Sequence, residues 1–229
     1  MQSPTEEELE ESIKELTEYK NRLEKEVVNI SQKLKMPEEK IKSIINYDQD
    51  IAEEISSSEN RINAQELKID SDCENIIALH APVAVDLRFI LSTRKINHAL
   101  EHIADIAESI AKYVADHDVP YDKEIMTKTR ISEMLDIFNA MMDCIIEAFE
   151  NEDPSIARKV FKKDKLINKI NSDSPQIIID NINKYDKNML LYLLSSIRKI
   201  ERAADSLKKI AEEIIYHLEA KIIKHKNHG

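Results

Sequence analysis

The amino-acid sequence predicts an all-α protein made of two three-helix units in tandem. Three observations predict this fold class. The only glycine of the 229 residues is the last one, apolar residues recur every three or four positions along several long stretches, and two of these stretches are similar one hundred positions apart. Without internal glycine, the chain has neither a glycine-rich phosphate loop nor the residues that favour tight hairpin turns. A duplicated helical bundle is therefore expected.

The first unit is predicted to cover residues 1–118 and to contain three helices. Apolar residues step by three or four over positions 9–34, the pattern of a long amphipathic helix, and Pro37 kinks or breaks that helix. A more polar second helix is expected over about 51–80. The third begins at Pro82, because proline is favoured in the first turn of a helix.

The second unit is predicted to cover residues 119–229. Its first helix is expected over about 125–149, where isoleucine, methionine and phenylalanine follow helical spacing. Asp153 precedes a proline and is suited to cap the next helix. That helix is expected to break at residues 172–175, which end in proline. The last helix is expected from about 187 to 224.

Each unit contains two carboxylates spaced four residues apart on its last helix. Glu101 and Asp105 occupy the first copy, and Glu201 and Asp205 occupy the second. Residues at this spacing lie on one helix face, so their oxygens can bind a hard or borderline cation together. The chain has 44 acidic residues, so such pairs also arise by chance. The alternative is a solvated helix face without metal.

Composition excludes several function classes. The net charge of −11 excludes nucleic acid as a partner, since binding to phosphates depends on cationic residues. Cys73 and Cys144 are isolated thiols, which indicate neither a zinc finger nor a disulfide framework and suit the reducing cytosol. No apolar run reaches the about 18 to 20 residues of a membrane span.

No catalytic constellation is present, so the protein is predicted not to be an enzyme. Di-iron oxidases also use carboxylates inside helical bundles, but their chemistry needs Glu-x-x-His motifs. None of the seven histidines follows a glutamate at that spacing. His102, between Glu101 and Asp105 in sequence, is a secondary candidate ligand, although a surface position is the alternative.

Several of these segments resemble the PhoU family of phosphate-uptake regulators. Pro82, the Asp-Leu-Arg of residues 86–88 and the Leu-Glu-His-Ile-Ala-Asp of residues 100–105 match the family pattern, with a histidine in place of the family arginine. Residues 59–63 and 164–168 resemble its acidic-x-x-Ile-Asn signature. The resemblance spans about residues 46–220.

The resemblance implies a pair of antiparallel three-helix bundles with acidic motifs that hold iron or zinc clusters at the surface. It adds Glu59 and Asp164 as secondary candidate ligands. Four further motif residues are expected to be structural: Asp86, Arg88, Asn63 and Asn168. For Asp86, a position near a helix start also favours this interpretation, since a carboxylate there complements the helix dipole.

The resemblance also implies a cytoplasmic regulator that restrains phosphate transport and a sensor kinase when phosphate is plentiful. Its expected partners are that kinase and a phosphate transporter, through an ATP-binding component or a sodium–phosphate cotransporter. Membrane association is then expected only through those partners, and the sequence leaves open whether the chain forms a homodimer. The alternatives are the cytosolic regulatory domain of a sodium–phosphate cotransporter and a structural interaction bundle without metal.

Overall fold

The periodic apolar stretches form long helices. A computed structural model describes residues 6–35, 49–115 and 121–220, and these residues form helices and no strand. The helices are α1 Glu6–Leu34, α2 Gln49–His80, α3 Ala84–Ala115, α4 Lys123–Thr129, α5 Ile131–Glu150, α6 Pro154–Ala157, α7 Lys159–Asn181 and α8 Lys187–Glu219. The all-α prediction is confirmed. Pro37 and the last nine residues lie outside the described ranges.

Each half of the chain contributes three long helices. α1, α2 and α3 belong to the first half, and α5, α7 and α8 belong to the second, with α4 and α6 as short additions. α3 packs mainly on α2 and α8, and α8 packs on α7, α5 and α6 as well. The two final helices of the repeated units therefore lie at the centre of the molecule, against one another.

Contacts between side chains show that α3 and α8 run in opposite directions. His102 Nδ1 lies 3.1 Å from Ser206 Oγ, and Lys199 Nζ donates to the Ser109 carbonyl oxygen at 3.0 Å. The residue number in α8 falls as the number in α3 rises. This register places Ala104 of the first copy opposite its counterpart in the second copy.

That counterpart is Ala204, and both alanines are buried. A methyl side chain lets two helix backbones approach closely, so the larger residues on either side can interdigitate around the contact. Leu100 and Ile200, which are also equivalent in the repeat, are among those buried neighbours. We call the contact around Ala104 and Ala204 the central seam.

Apolar residues at helical spacing form the buried face of α8. Its buried members are Leu190, Leu193, Ile197, Ile200, Ala204, Leu207, Ala211 and Ile214. Helical spacing of apolar residues thus predicts which side of α8 faces the core. The helix ends at Glu219 because Ala220 adopts a left-handed conformation with φ of 54°, so it ends before the expected residue 224.

The prediction of one helix over residues 125–149 is wrong. Arg130 has a left-handed backbone conformation, with φ of 56°, and this residue separates α4 from α5. The hydroxyl of Thr129 donates to the carbonyl oxygens of Ile125 and Met126, at 2.9 and 3.1 Å. A side chain that bonds to the preceding turn competes with the regular backbone pattern, and the apolar periodicity does not reveal this competition.

The predicted break at residues 172–175 is also wrong, because α7 continues through Pro175 to Asn181. Proline cannot donate a backbone hydrogen bond, which disfavours a helix interior. Here Ile170 and Ile178 are buried on either side of the proline, and Ser174 Oγ donates to the Ile170 carbonyl at 2.6 Å. Packing of the flanking turns therefore outweighs the missing bond.

The predicted cap at Asp153 is confirmed, since its carboxylate accepts a hydrogen bond from the Ser155 backbone N–H at 2.8 Å. Within the described ranges, every helix is too short or too polar to cross a membrane.

The central seam predicts a specific sensitivity to side-chain volume. Ala204→Leu inserts extra methylene groups at a buried alanine between α3 and α8 and should lower the free energy of unfolding by about 1–3 kcal/mol. Urea unfolding followed by circular dichroism measures the change. Ala64→Leu, at an exposed position of α2, is the control and should have little effect. Equal losses for both variants would contradict the assigned seam.

Candidate functional site

The first pair of predicted carboxylates lies beside two acidic residues of the neighbouring helix. Burial raises the pKa of Glu101 above its ordinary value, and the Asp105 carboxylate raises it further. His98 acts in the opposite direction, while Glu66 and Glu59 on α2 add smaller increases. We call these four carboxylates, Glu59, Glu66, Glu101 and Asp105, the first acidic cluster.

The first acidic cluster is assembled by the packing of α2 on α3. Arg94 of α3 donates from Nε to Asp70 Oδ2 at 3.1 Å, and Asn97 Nδ2 donates to the Glu66 carbonyl oxygen at 2.9 Å. These bonds fix the register between the two helices next to Glu101. The carboxylates of α2 are thereby held near the α3 pair, although they are far from it in sequence.

The second predicted pair lies beside Asp164 of α7. Burial raises the pKa of Glu201, and the Asp205 and Asp164 carboxylates raise it further, in that order. We call these three carboxylates the second acidic cluster. The Asp164 side chain is 6 % exposed, and its Oδ1 is buried without a hydrogen-bond partner in the described part of the chain.

A lysine contacts the second acidic cluster directly. Lys208 Nζ lies 3.3 Å from Asp164 Oδ2 and 3.4 Å from Asp205 Oδ1, so it bridges α7 and α8. Burial is the largest cause that raises the pKa of Asp164, and Lys208 opposes it. Sequence analysis did not single out Lys208. Its only signal was a position three residues after Asp205, on the same side of the helix.

The two asparagines of the sequence motif hold carboxylates of their own helices. Asn63 donates to Glu59, and Asn168 Nδ2 donates to Asp164 Oδ2 at 3.2 Å. Both bonds join residues four apart, so each amide orients the carboxylate one turn earlier. They do not connect neighbouring helices.

The other motif residues lie away from the clusters or face another helix. His102 contacts Ser206 across the central seam, and its pKa is lowered, mainly by burial and then by Arg202 and Lys209. Asp86 accepts a bond from Lys20 Nζ at 2.9 Å, which ties α1 to the start of α3. The Nε of Arg88 is buried without a hydrogen-bond partner in the described ranges.

The distances between the side chains limit metal binding by the two clusters. In residues 6–35, 49–115 and 121–220, no three side chains of histidine, cysteine, aspartate or glutamate lie close enough together to hold a metal ion. Burial, and after it the neighbouring carboxylates, nevertheless raise the pKa of Glu101 and that of Glu201. In the first cluster a bound cation would oppose the repulsion between the carboxylates, but their side chains would first have to move closer together. In the second cluster a lysine ammonium already lies between two of the carboxylates.

Comparison with known proteins identifies a family. The PhoU domain family model matches two segments, residues 31–114 and 131–214. The chain is 30% identical over 190 residues to the phosphate-specific transport system accessory protein PhoU homolog of Borreliella burgdorferi, which covers 80% of this chain and 85% of that protein. It is 24% identical over 212 residues to PhoU homolog 1 of Thermotoga maritima, covering 89% and 87%.

Solved structures share the fold. The chain superposes on the phosphate transport system regulatory protein PhoU of Streptococcus pneumoniae with a TM-score of 0.80 and 23% identity, covering 91% of this chain and 99% of that one. For PhoU of Pseudomonas aeruginosa the TM-score is 0.73 at 20% identity, covering 93% and 99%. At these identities the likeness concerns the arrangement of the helices.

The raised pKa of Glu101 predicts how stability depends on pH. A carboxylate whose pKa is higher in the folded state stabilises the fold as pH falls through that pKa toward the ordinary value of 4.5. Glu101→Gln removes this contribution, so the variant should gain less stability than the wild type when urea unfolding is compared at pH 7 and at pH 5.

Glu133 provides the opposite control. Its pKa is lowered, chiefly by a hydrogen bond with Arg130, so its contribution is present above the ordinary pKa of glutamate and is lost as pH falls. Between pH 5 and pH 3, Glu133→Gln should therefore lose less stability than the wild type, an effect opposite in sign to that of Glu101→Gln between pH 7 and pH 5. Shifts of the same sign in both variants would contradict the electrostatic assignment of the first cluster.

Proposed function

This chain belongs to the PhoU family, and from that premise we propose that it is an accessory regulator of a phosphate transport system. The regulator restrains phosphate uptake and phosphate-starvation signalling when phosphate is plentiful. Two relatives that align with 80% or more of the chain are named as homologs of such an accessory protein, which supports the proposal. The chain acts here through binding, at the cytoplasmic side of the membrane, and not through catalysis.

The proposed mechanism is docking assisted by a bound metal ion. The single observation that carries it is the first acidic cluster, where burial raises the pKa of Glu101 and carboxylates from two helices raise it further. Glu101 and Asp105, with Glu59 and Glu66 from α2, would hold the ion once their side chains move closer together. Iron and zinc are the metals that the family resemblance suggests, and carboxylate oxygens suit hard and borderline cations.

A bound cation would give this acidic protein a local positive site. The formal net charge of −11 disfavours contact with acidic partners, whereas a metal ion with free coordination positions attracts their carboxylates or phosphates. The proposed partners are the ATP-binding component of a phosphate transporter, or a sodium–phosphate cotransporter, and the sensor kinase that responds to phosphate. Association with the membrane then follows from these partners.

Metal binding at the first cluster predicts a change in thermal stability. A ligand that binds only the folded state stabilises it by about 2.7 kcal/mol at one hundred times its dissociation constant. Adding Zn²⁺ or Fe²⁺ to metal-free protein should therefore raise the melting temperature. Glu101→Gln combined with Asp105→Asn should abolish the rise, and an unchanged rise in that variant would exclude these residues as ligands.

The regulatory role predicts a phenotype for gene deletion. Cells without the gene should express phosphate-starvation genes in phosphate-rich medium, as measured with a transcriptional reporter and by phosphate uptake. The wild-type gene should restore repression, and the variant Glu101→Gln with Asp105→Asn should restore less of it. Asp136→Asn with Glu147→Gln changes two exposed carboxylates of α5 and is the matched control. A deletion with no effect on either readout would refute the proposal.

A further inference from the structure

The two acidic clusters differ in the charges that follow them on the helix. Position 108 is glutamate in the first copy, and the equivalent position 208 is lysine. One turn later, Lys112 of the first copy corresponds to Glu212 of the second. The order of acid and base is thus reversed between the two copies, although the preceding carboxylates are conserved between them.

In the second copy this exchange places an ammonium group among the carboxylates. Lys208 Nζ contacts one oxygen of Asp164 and one of Asp205. The Asp164 side chain is 6 % exposed and that of Lys208 is 37 % exposed, so the ion pair is partly shielded from water. Shielding strengthens the attraction and makes removal of either partner costly.

In the first copy the corresponding lysine lies one turn further away. Lys112 Nζ forms its ion pair with Glu108 at 2.7 Å, and its side chain is 62 % exposed. Glu59 and Asp105 act on it only as additional charges, after Glu108. Among the described residues, the basic side chain paired with Glu101 is that of His98, whose Nδ1 lies 3.8 Å from Glu101 Oε2. This side chain is 78 % exposed and is charged only when protonated. Within the part of the chain that the structure describes, the first cluster therefore has no permanent ammonium in contact with its own carboxylates.

We propose that Lys208 is a tethered cation that closes the second acidic cluster to metal ions, so that metal binding is confined to the first cluster. This inference rests on the proposed function, because it concerns where the metal binds. A divalent ion would have to displace the ammonium from Asp164 and Asp205 before it could bind. The ammonium is covalently attached, so its effective concentration at the carboxylates exceeds that of a dilute free ion.

Removal of the ammonium is the direct test. Mn²⁺ is a suitable probe because it prefers carboxylate oxygens, and its free-ion electron paramagnetic resonance signal reports how much remains unbound. Lys208→Met removes the charge but keeps an unbranched side chain, whereas Lys208→Arg keeps the charge as a control. Metal-free Lys208→Met should bind an additional class of Mn²⁺ at the second cluster, and Lys208→Arg should bind as the wild type does.

Two further variants assign each class of Mn²⁺ to its cluster. In the wild type, Glu201→Gln with Asp205→Asn should leave Mn²⁺ binding unchanged. Adding Asp164→Asn to Lys208→Met should remove the additional class. Circular dichroism of each variant without metal shows whether it is folded. If Lys208→Met is not folded, Lys208→Arg still tests the proposal. A gain of Mn²⁺ binding by this charge-preserving variant would overturn it.

The outcomes separate this inference from the metal binding proposed above. If Lys208→Met gains no Mn²⁺, or if the wild type loses Mn²⁺ when Glu201 and Asp205 are neutralised, the role of Lys208 is overturned. If the wild type binds no Mn²⁺ and Lys208→Met gains it, the role of Lys208 stands and binding at the first cluster fails. If the wild type binds Mn²⁺ at the first cluster and Lys208→Met binds no additional Mn²⁺, binding at the first cluster stands and the role of Lys208 fails.

Discussion

The close contact of α3 with α8 at the central seam determines where the candidate site residues lie. Glu101 and Asp105 are within one helical turn of Ala104, and Glu201 and Asp205 stand in the same relation to Ala204. Each acidic pair therefore lies beside the seam and next to a second helix of its own half, α2 or α7. Burial along this contact also excludes water from one side of the carboxylates, which contributes to their raised pKa values.

Sequence periodicity predicted the fold well because the long helices depend on a repeated apolar face. The buried stripe of α8 follows from spacing alone. The two wrong predictions concern local exceptions: Arg130 ends a helix inside a periodic stretch, and Pro175 fails to end one. In the first case a threonine side chain satisfies the preceding carbonyls, and in the second buried isoleucines hold the turns around the proline. Neither effect is visible in apolar spacing.

The candidate site was only partly predictable, because the sequence shows neighbours on one helix and not across two. The four principal carboxylates were identified from spacing and duplication. Glu66 and Lys208 became relevant only when α2 and α7 were placed beside α3 and α8. Lys208 changes the chemistry of its cluster most, since it turns three repelling carboxylates into a partly compensated ion pair. A shared motif thus does not imply that both copies have the same binding properties.

The opposed register of α3 and α8 is also the register of a symmetric homodimer. In such an interface, a contact between one residue and a second recurs between their equivalents, and the residues on the axis meet their own copies. Ala104 and Ala204, equivalent in the repeat, satisfy that condition within one chain. Covalent linkage of the halves removes the dependence of this pairing on protein concentration and lets the two copies diverge. The contrasting residues at positions 108 and 208 are such a divergence, which an assembly of identical subunits could not encode.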